Sequence, residues 1–285
     1  MRILIPLFSP PTGTWGSLTR VLSVCEASKK NGHEIAFCAN GFLAERLSQN
    51  GYKVYMMPES TILGLPKFFS NRIVSRSQKM SILVKPGKSV GSLWLVLMFT
   101  GMSNFKYLNK LVNAELSALN DFKPDYIFTE VDPGAFIISK ITGVPIASTY
   151  ASVMNVGVGG YPWKQLDKNF RRILRAHNKK IESLKDIFPD KNILKIIPSI
   201  PELEDNVPNS SDFIFTGSLL HSFKSKSDDN FNIDKNKKYI FVYVGTGSVR
   251  LDILENVLPE LFPESSDTVC LVASQSIQKE KSAGN

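Results

Sequence analysis

Two carboxylates, Glu130 and Asp132, follow the apolar run Tyr126–Thr129, which reads as a buried strand. A carboxylate at the end of a strand can take the proton of an attacking hydroxyl when its surroundings tune its basicity. The triplet Asp132-Pro133-Gly134 reads equally well as a turn and helix cap. A second candidate is Gly13-Thr14-Trp15-Gly16-Ser17, which lies between a first apolar strand and a helical pattern. Glycines at such a turn bring backbone amides close to a ligand beside the helix N-terminus. The dinucleotide fingerprint is absent: Pro11 takes the place of its first glycine, and no acid closes the second strand. A third candidate, Gly245-Thr246-Gly247-Ser248, ends the apolar run 239–244. Its amides and hydroxyls suit the oxygens of a diphosphate, and it also fits an ordinary strand-to-helix turn.

These groups need a scaffold, and its periodicity is visible. Residues 3–7 read as a buried parallel strand. Leu18, Val21, Leu22 and Cys25 repeat at helical spacing, and Gly32 is placed to stop that helix. Strands at 34–38 and 53–57 flank a helix at 42–50, so the chain opens as βαβαβ, the start of a doubly wound sheet. Residues 58–120 read as less regular. Beyond them come a strand at 126–129, a helix at 135–142, a strand at 145–149, a long basic helix at 163–188 and a strand at 213–215. Residues 217–238 have the polar composition of a linker. A strand at 239–244, a helix at 251–261 and a strand at 268–273 make a second βαβ unit.

The chain has 285 residues, 43% hydrophobic and 21% charged, within the usual range for a globular protein. This excludes a disordered chain, a collagen-like repeat and a disulfide scaffold. Cys25, Cys38 and Cys270 are too scattered for a disulfide framework or a zinc site and read as reduced packing residues. His33 reads as structural, and His177 and His221 receive no role. The net charge of +8 favours anionic partners. Lys67, Arg72, Arg76, Lys79, Lys85 and Lys88 precede the apolar run 93–99, and Lys164, Lys168, Arg171, Arg175 and Lys179 fall on one helical face. Either pattern suits a solvated face or peripheral contact with an anionic membrane. No recognised nucleic-acid motif accompanies the charge, so no nucleic-acid partner is expected. The longest apolar run is too short to span a bilayer, and no signal peptide is evident. A cytoplasmic location is expected, with peripheral membrane contact added by the basic segments.

Thr12-Gly13-Thr14-Trp15-Gly16-Ser17, followed after a helix by Asn31-Gly32-His33-Glu34-Ile35, resembles the N-terminus of GT-B glycosyltransferases, the UDP-glycosyltransferase-like group that acts on antibiotics, sterols and other lipophilic acceptors. Lys123-Pro124-Asp125-Tyr126-Ile127, Gly143-Val144-Pro145, Pro201-Glu202-Leu203 and the Gly-Thr strand end at 239–248 are similar in the same order. Sixteen residues separate Ser17 from His33, the family's interval between its catalytic position and that later His, so the resemblance puts Ser17 in the place of the catalytic base.

The resemblance implies an α/β chain of GT-B type, with a Rossmann-like N-terminal acceptor-binding domain (1–215), a linker (216–238) and the beginning of a second Rossmann-like, nucleotide-sugar-binding domain (239–285). The family's later donor-site motifs do not occur after Ala273, so a truncated donor domain is expected, with a second polypeptide as one way of completing it. The implied reaction is inverting transfer of a sugar from a nucleotide diphosphate to a hydroxyl of a small lipophilic acceptor, with the nucleotide sugar as co-substrate and neither cofactor nor metal. Ser17, Glu130 and Asp132 are the catalytic candidates. Gly13, Thr14, Trp15 and Gly16, with the segment 66–102, would face the acceptor, and Gly245, Thr246, Gly247 and Ser248 the donor. An unassisted serine is too weak a base at neutral pH. Glu130 or Asp132 would therefore serve as base, with Ser17 bonding the acceptor. The alternative is a non-catalytic homologue that binds an acceptor or a partner subunit.

Overall fold

The computed structural model describes residues 1–8, 15–70, 72, 92–151, 154, 156–181, 183–186, 193–204, 207, 211–221, 234, 236–244, 251–263 and 267–274. They fall into two compact units, divided near residue 222.

The first unit is a seven-stranded parallel sheet in the order β3-β2-β1-β4-β5-β6-β7. Its strands are β1 (Arg2–Pro6), β2 (Glu34–Ala39), β3 (Lys53–Met56), β4 (Tyr126–Thr129), β5 (Ile146–Thr149), β6 (Leu194–Ile197) and β7 (Phe213–Phe215). Its helices are α1 (Trp15–Lys30), α2 (Gly41–Gln49), α3 (Leu93–Phe99), α4 (Phe105–Phe122), α5 (Pro133–Thr142) and α6 (Tyr161–Ala176).

Period-two alternation sorts the strand residues between two cores. Ile5, Ile35, Phe37, Ala39, Phe128 and Ala147 join the layer built from α1 and α2. Leu4, Ala36, Cys38, Ile127 and Ile146 join the larger layer under α3, α4, α5 and α6. Both faces of the sheet are covered, as an all-parallel sheet requires.

Three expectations change. The less regular stretch 58–120 holds, among its described residues, the start of α4, an 18-residue amphipathic helix begun by Asn104, whose side chain accepts from the Lys106 and Tyr107 amides, and ended at left-handed Lys123. The helix expected over 163–188 stops at Ala176, because Asn178 turns left-handed at φ +57° and the Lys179 amide bonds back to Leu174. β6 escaped the pattern because Lys195 interrupts it. That lysine is 2% exposed and pairs with Asp212 at 2.5 Å.

The strand order reverses between β1 and β4, the place where open α/β sheets leave a crevice at the carboxyl ends of their strands. Leu7 bridges to Glu130 there. Fully buried Thr129 stitches the two strand ends together: its hydroxyl donates to the Pro6 carbonyl at 2.9 Å and accepts from the Asp132 amide at 3.2 Å.

In the second unit, β8 (Lys238–Val244) and β9 (Thr268–Ser274) pair in parallel through all seven residues, with α7 (Leu251–Leu261) between them in sequence. This is one βαβ unit.

Thr129→Val keeps the side-chain shape and leaves the Pro6 carbonyl and the Asp132 amide unpaired in the core. It is expected to cost about 2 kcal/mol, read as a lower urea midpoint for the full chain.

Candidate active site

Ser17 lies in the first turn of α1. Arg20, three residues on, shares its helical face. Glu130, directly after β4 and bridged to Leu7, is a nearly buried carboxylate. Arg20 grips its Oε1, through Nε at 3.0 Å and through a close contact from Nη2. The Ser17 hydroxyl also bonds this carboxyl, while Oε2 is buried without a well-formed hydrogen bond. Burial pushes the Glu130 carboxyl above the usual range, and the Arg20 guanidinium and the Ser17 hydroxyl oppose that rise. Between Glu130 and Asp132, Val131 has φ +59°, a conformation that costs a β-branched residue about 1 kcal/mol or more.

Asp132 is committed elsewhere. It caps α5, its Oδ1 accepting from the Gly134 amide at 2.7 Å, and it is 3% exposed. Burial raises its carboxyl to about 6, against the lowering by the Gly134 and Ala135 amides. Beside it lies Glu115 of α4, a fully buried acid whose carboxyl is pushed well above its normal range by burial and by the Asp132 charge. No other group among the described residues serves the Glu115 oxygens, so this carboxyl is held neutral next to the Asp132 carboxylate. The pair packs onto Gly134, where a Cβ would come within 2.7 Å of the Glu115 carboxyl carbon.

The structure thus brings Ser17 and Glu130 together and places Asp132 behind them as a cap. Gly16 is exposed in the first turn of α1, and the Trp15 backbone begins that helix. Gly13, Thr14, Gly245, Thr246, Gly247 and Ser248 lie outside the described residues, as do Arg76, Lys79, Lys85 and Lys88. Sequence reasoning missed Arg20 and Glu115, though each left a signal. Arg20 sits three residues after Ser17, and Glu115 stands on the stripe Leu108, Leu111, Val112, Ala118, Leu119 and Phe122, where an acid is out of character. Cys25 and Cys38 are buried free thiols, and burial pushes Cys25 up to about 12. Among the described residues no cluster of His, Cys, Asp and Glu is arranged to hold a metal ion, and no helix is long and apolar enough to cross a membrane.

No family model matches the chain, and no curated protein matches it. Solved structures do. The glycotransferase of kitacinnamycin matches with a TM-score of 0.65 at 12% identity, over 98% of this chain and 67% of its own. The glycosyltransferase SnogD from Streptomyces nogalater matches with a TM-score of 0.61 at 11% identity, over 100% and 69%. The spinosyn rhamnosyltransferase SpnG, complexed with thymidine diphosphate, matches with a TM-score of 0.53 at 12% identity, over 96% and 65%. The chain spans about two thirds of the length of these structures.

A carboxyl whose folded pKa exceeds its unfolded one binds more protons in the folded state, so stability falls as pH rises through that interval. For Asp132 the interval runs from 3.8 to about 6. Asp132→Asn keeps a capping side chain and removes the buried charge. Its stability measured by denaturant titration should fall less than wild type between those pH values, by on the order of 2 kcal/mol.

Proposed function

We propose, from the GT-B fold of this chain, that it carries the acceptor-binding half of an inverting glycosyltransferase. The reaction moves a sugar from a nucleotide-diphosphate donor to a hydroxyl of a small lipophilic acceptor. The observation that carries this reading is the Ser17–Arg20–Glu130 group at the β1/β4 switch point, in a fold that the glycosyltransferases above also adopt.

In this mechanism the acceptor hydroxyl lies against the Glu130 carboxylate, oriented by the Ser17 hydroxyl. Glu130 takes the hydroxyl proton as the oxygen attacks the anomeric carbon. The bond from that carbon to the diphosphate oxygen breaks, its electron pair leaves with the diphosphate, and the anomeric configuration inverts. Burial makes Glu130 a better base than an exposed glutamate, while Arg20 opposes the rise in its pKa. Leu63, Leu65, Phe68 and Phe69, exposed on the segment after β3, are apolar surface of the kind such an acceptor needs. The diphosphate is assigned to Gly245, Thr246, Gly247 and Ser248, which lie outside the described residues.

The test is transfer from a panel of nucleotide sugars to a panel of lipophilic alcohols and phenols. Wild type is expected to turn over. Glu130→Gln should lose roughly 10²- to 10⁴-fold in kcat, with a smaller loss for Ser17→Ala. No transfer by folded wild type with any pair, or full activity in Glu130→Gln, overturns the reading. Activity should rise with pH as Glu130 ionises. Arg20→Ala removes a group that lowers this pKa, so it should move the acid limb of the pH profile to higher pH.

A further inference from the structure

We propose that the outer face of α6, with the start of α4, is a docking surface for an anionic phospholipid membrane. The inference is independent of the sugar chemistry, since it uses residues outside the switch-point crevice.

α6 is sharply two-faced. Trp163, Leu166, Phe170, Ile173 and Leu174 face the core, while Lys164, Lys168, Arg172 and Arg175 are exposed. With Arg171, five cations share this helix with one acid, Asp167. That acid is buried: it pairs with Arg171 at 2.5 Å and accepts from the Leu184 amide at 2.7 Å, so it does not neutralise the outer face. Among the described residues Lys164, Lys168 and Arg175 make no ion pair. Arg172 stacks over Phe105 at 3.6 Å, which joins α6 to the first two turns of α4, where Lys106 and Lys110 are also exposed. Lys168, Arg171, Arg172 and Arg175 line a shallow depression of about 430 Å³.

Several cations spread along one helix face, without acids among them, match a surface dense in phosphates better than a single small anion. Apolar surface adjoins them. Tyr161 continues the same stripe at 67% exposed, and α3, which packs along α6, exposes Val96 and Phe99. Cations beside exposed aromatic and aliphatic side chains are what an interfacial lipid contact uses.

The test is co-sedimentation of the full chain with phosphatidylcholine vesicles and with vesicles containing phosphatidylglycerol. Binding is expected only to the anionic vesicles and should weaken with salt. Each basic side chain near such a surface is worth roughly fivefold in partitioning, so Lys168→Glu/Arg175→Glu should lose roughly 25-fold or more. Lys30→Glu/Arg46→Glu makes the same charge change on α1 and α2, over the other face of the sheet, and should bind nearly as wild type. Equal binding to neutral vesicles, or equal losses in the two double variants, overturns the proposal. So does release by inorganic phosphate beyond that by chloride of matched ionic strength, which marks a free-phosphate site, or retention on RNA without vesicle binding. Thermal unfolding of each variant checks that it is folded, and the salt and vesicle dependence of wild type carries the test if one is not.

Discussion

The parallel pairing of β1 with β4, where the strand order reverses, is the constraint on which the candidate site depends. Leu7 lies opposite Glu130, and past that bridge the two chains leave toward opposite faces of the sheet. α1 joins the smaller core and α5 the larger one. The Thr129 hydroxyl, bonded to both the Pro6 carbonyl and the Asp132 amide, sets the spacing of the two ends. Glu130 is therefore held where the two strand ends are bridged.

The acids around this point divide their work according to their surroundings. Glu130 is pushed up by burial, and a guanidinium and a hydroxyl from α1 oppose that rise. Asp132 is spent on the amides at the start of α5, and burial and the Asp132 charge push the Glu115 carboxyl well up beside it. Among the three acids only Glu130 takes its side-chain partners from α1. The left-handed Val131 between Glu130 and Asp132 fits this division, since it lets consecutive acids serve a crevice and a helix cap.

Much of the fold was legible because each local signal had one physical meaning. Tyr126–Thr129 and Leu251–Leu261 are apolar runs of strand and helix period bounded by turn residues, and they appear at those limits. β6 was hidden because buried Lys195 looks polar until Asp212 is placed beside it. α4 was hidden among aromatic and polar residues in a stretch with few glycine or proline breaks. In the site, Ser17 and the two acids could be named, yet their meeting could not be read from spacing. Ser17 and Glu130 are 113 residues apart and come together only through the β1–β4 register. Arg20 is an ordinary charge off the apolar stripe of α1 and Glu115 a single acid on the stripe of α4, and what they touch required the tertiary structure.

The most direct measurement is a carbon-13 NMR titration of the Glu130 carboxyl in the full chain, assigned with Glu130→Gln. If Glu130 is the poised base, it titrates above the range of an exposed glutamate and moves higher still in Arg20→Ala. A carboxyl that titrates at or below the ordinary value, indifferent to Arg20, would contradict that role.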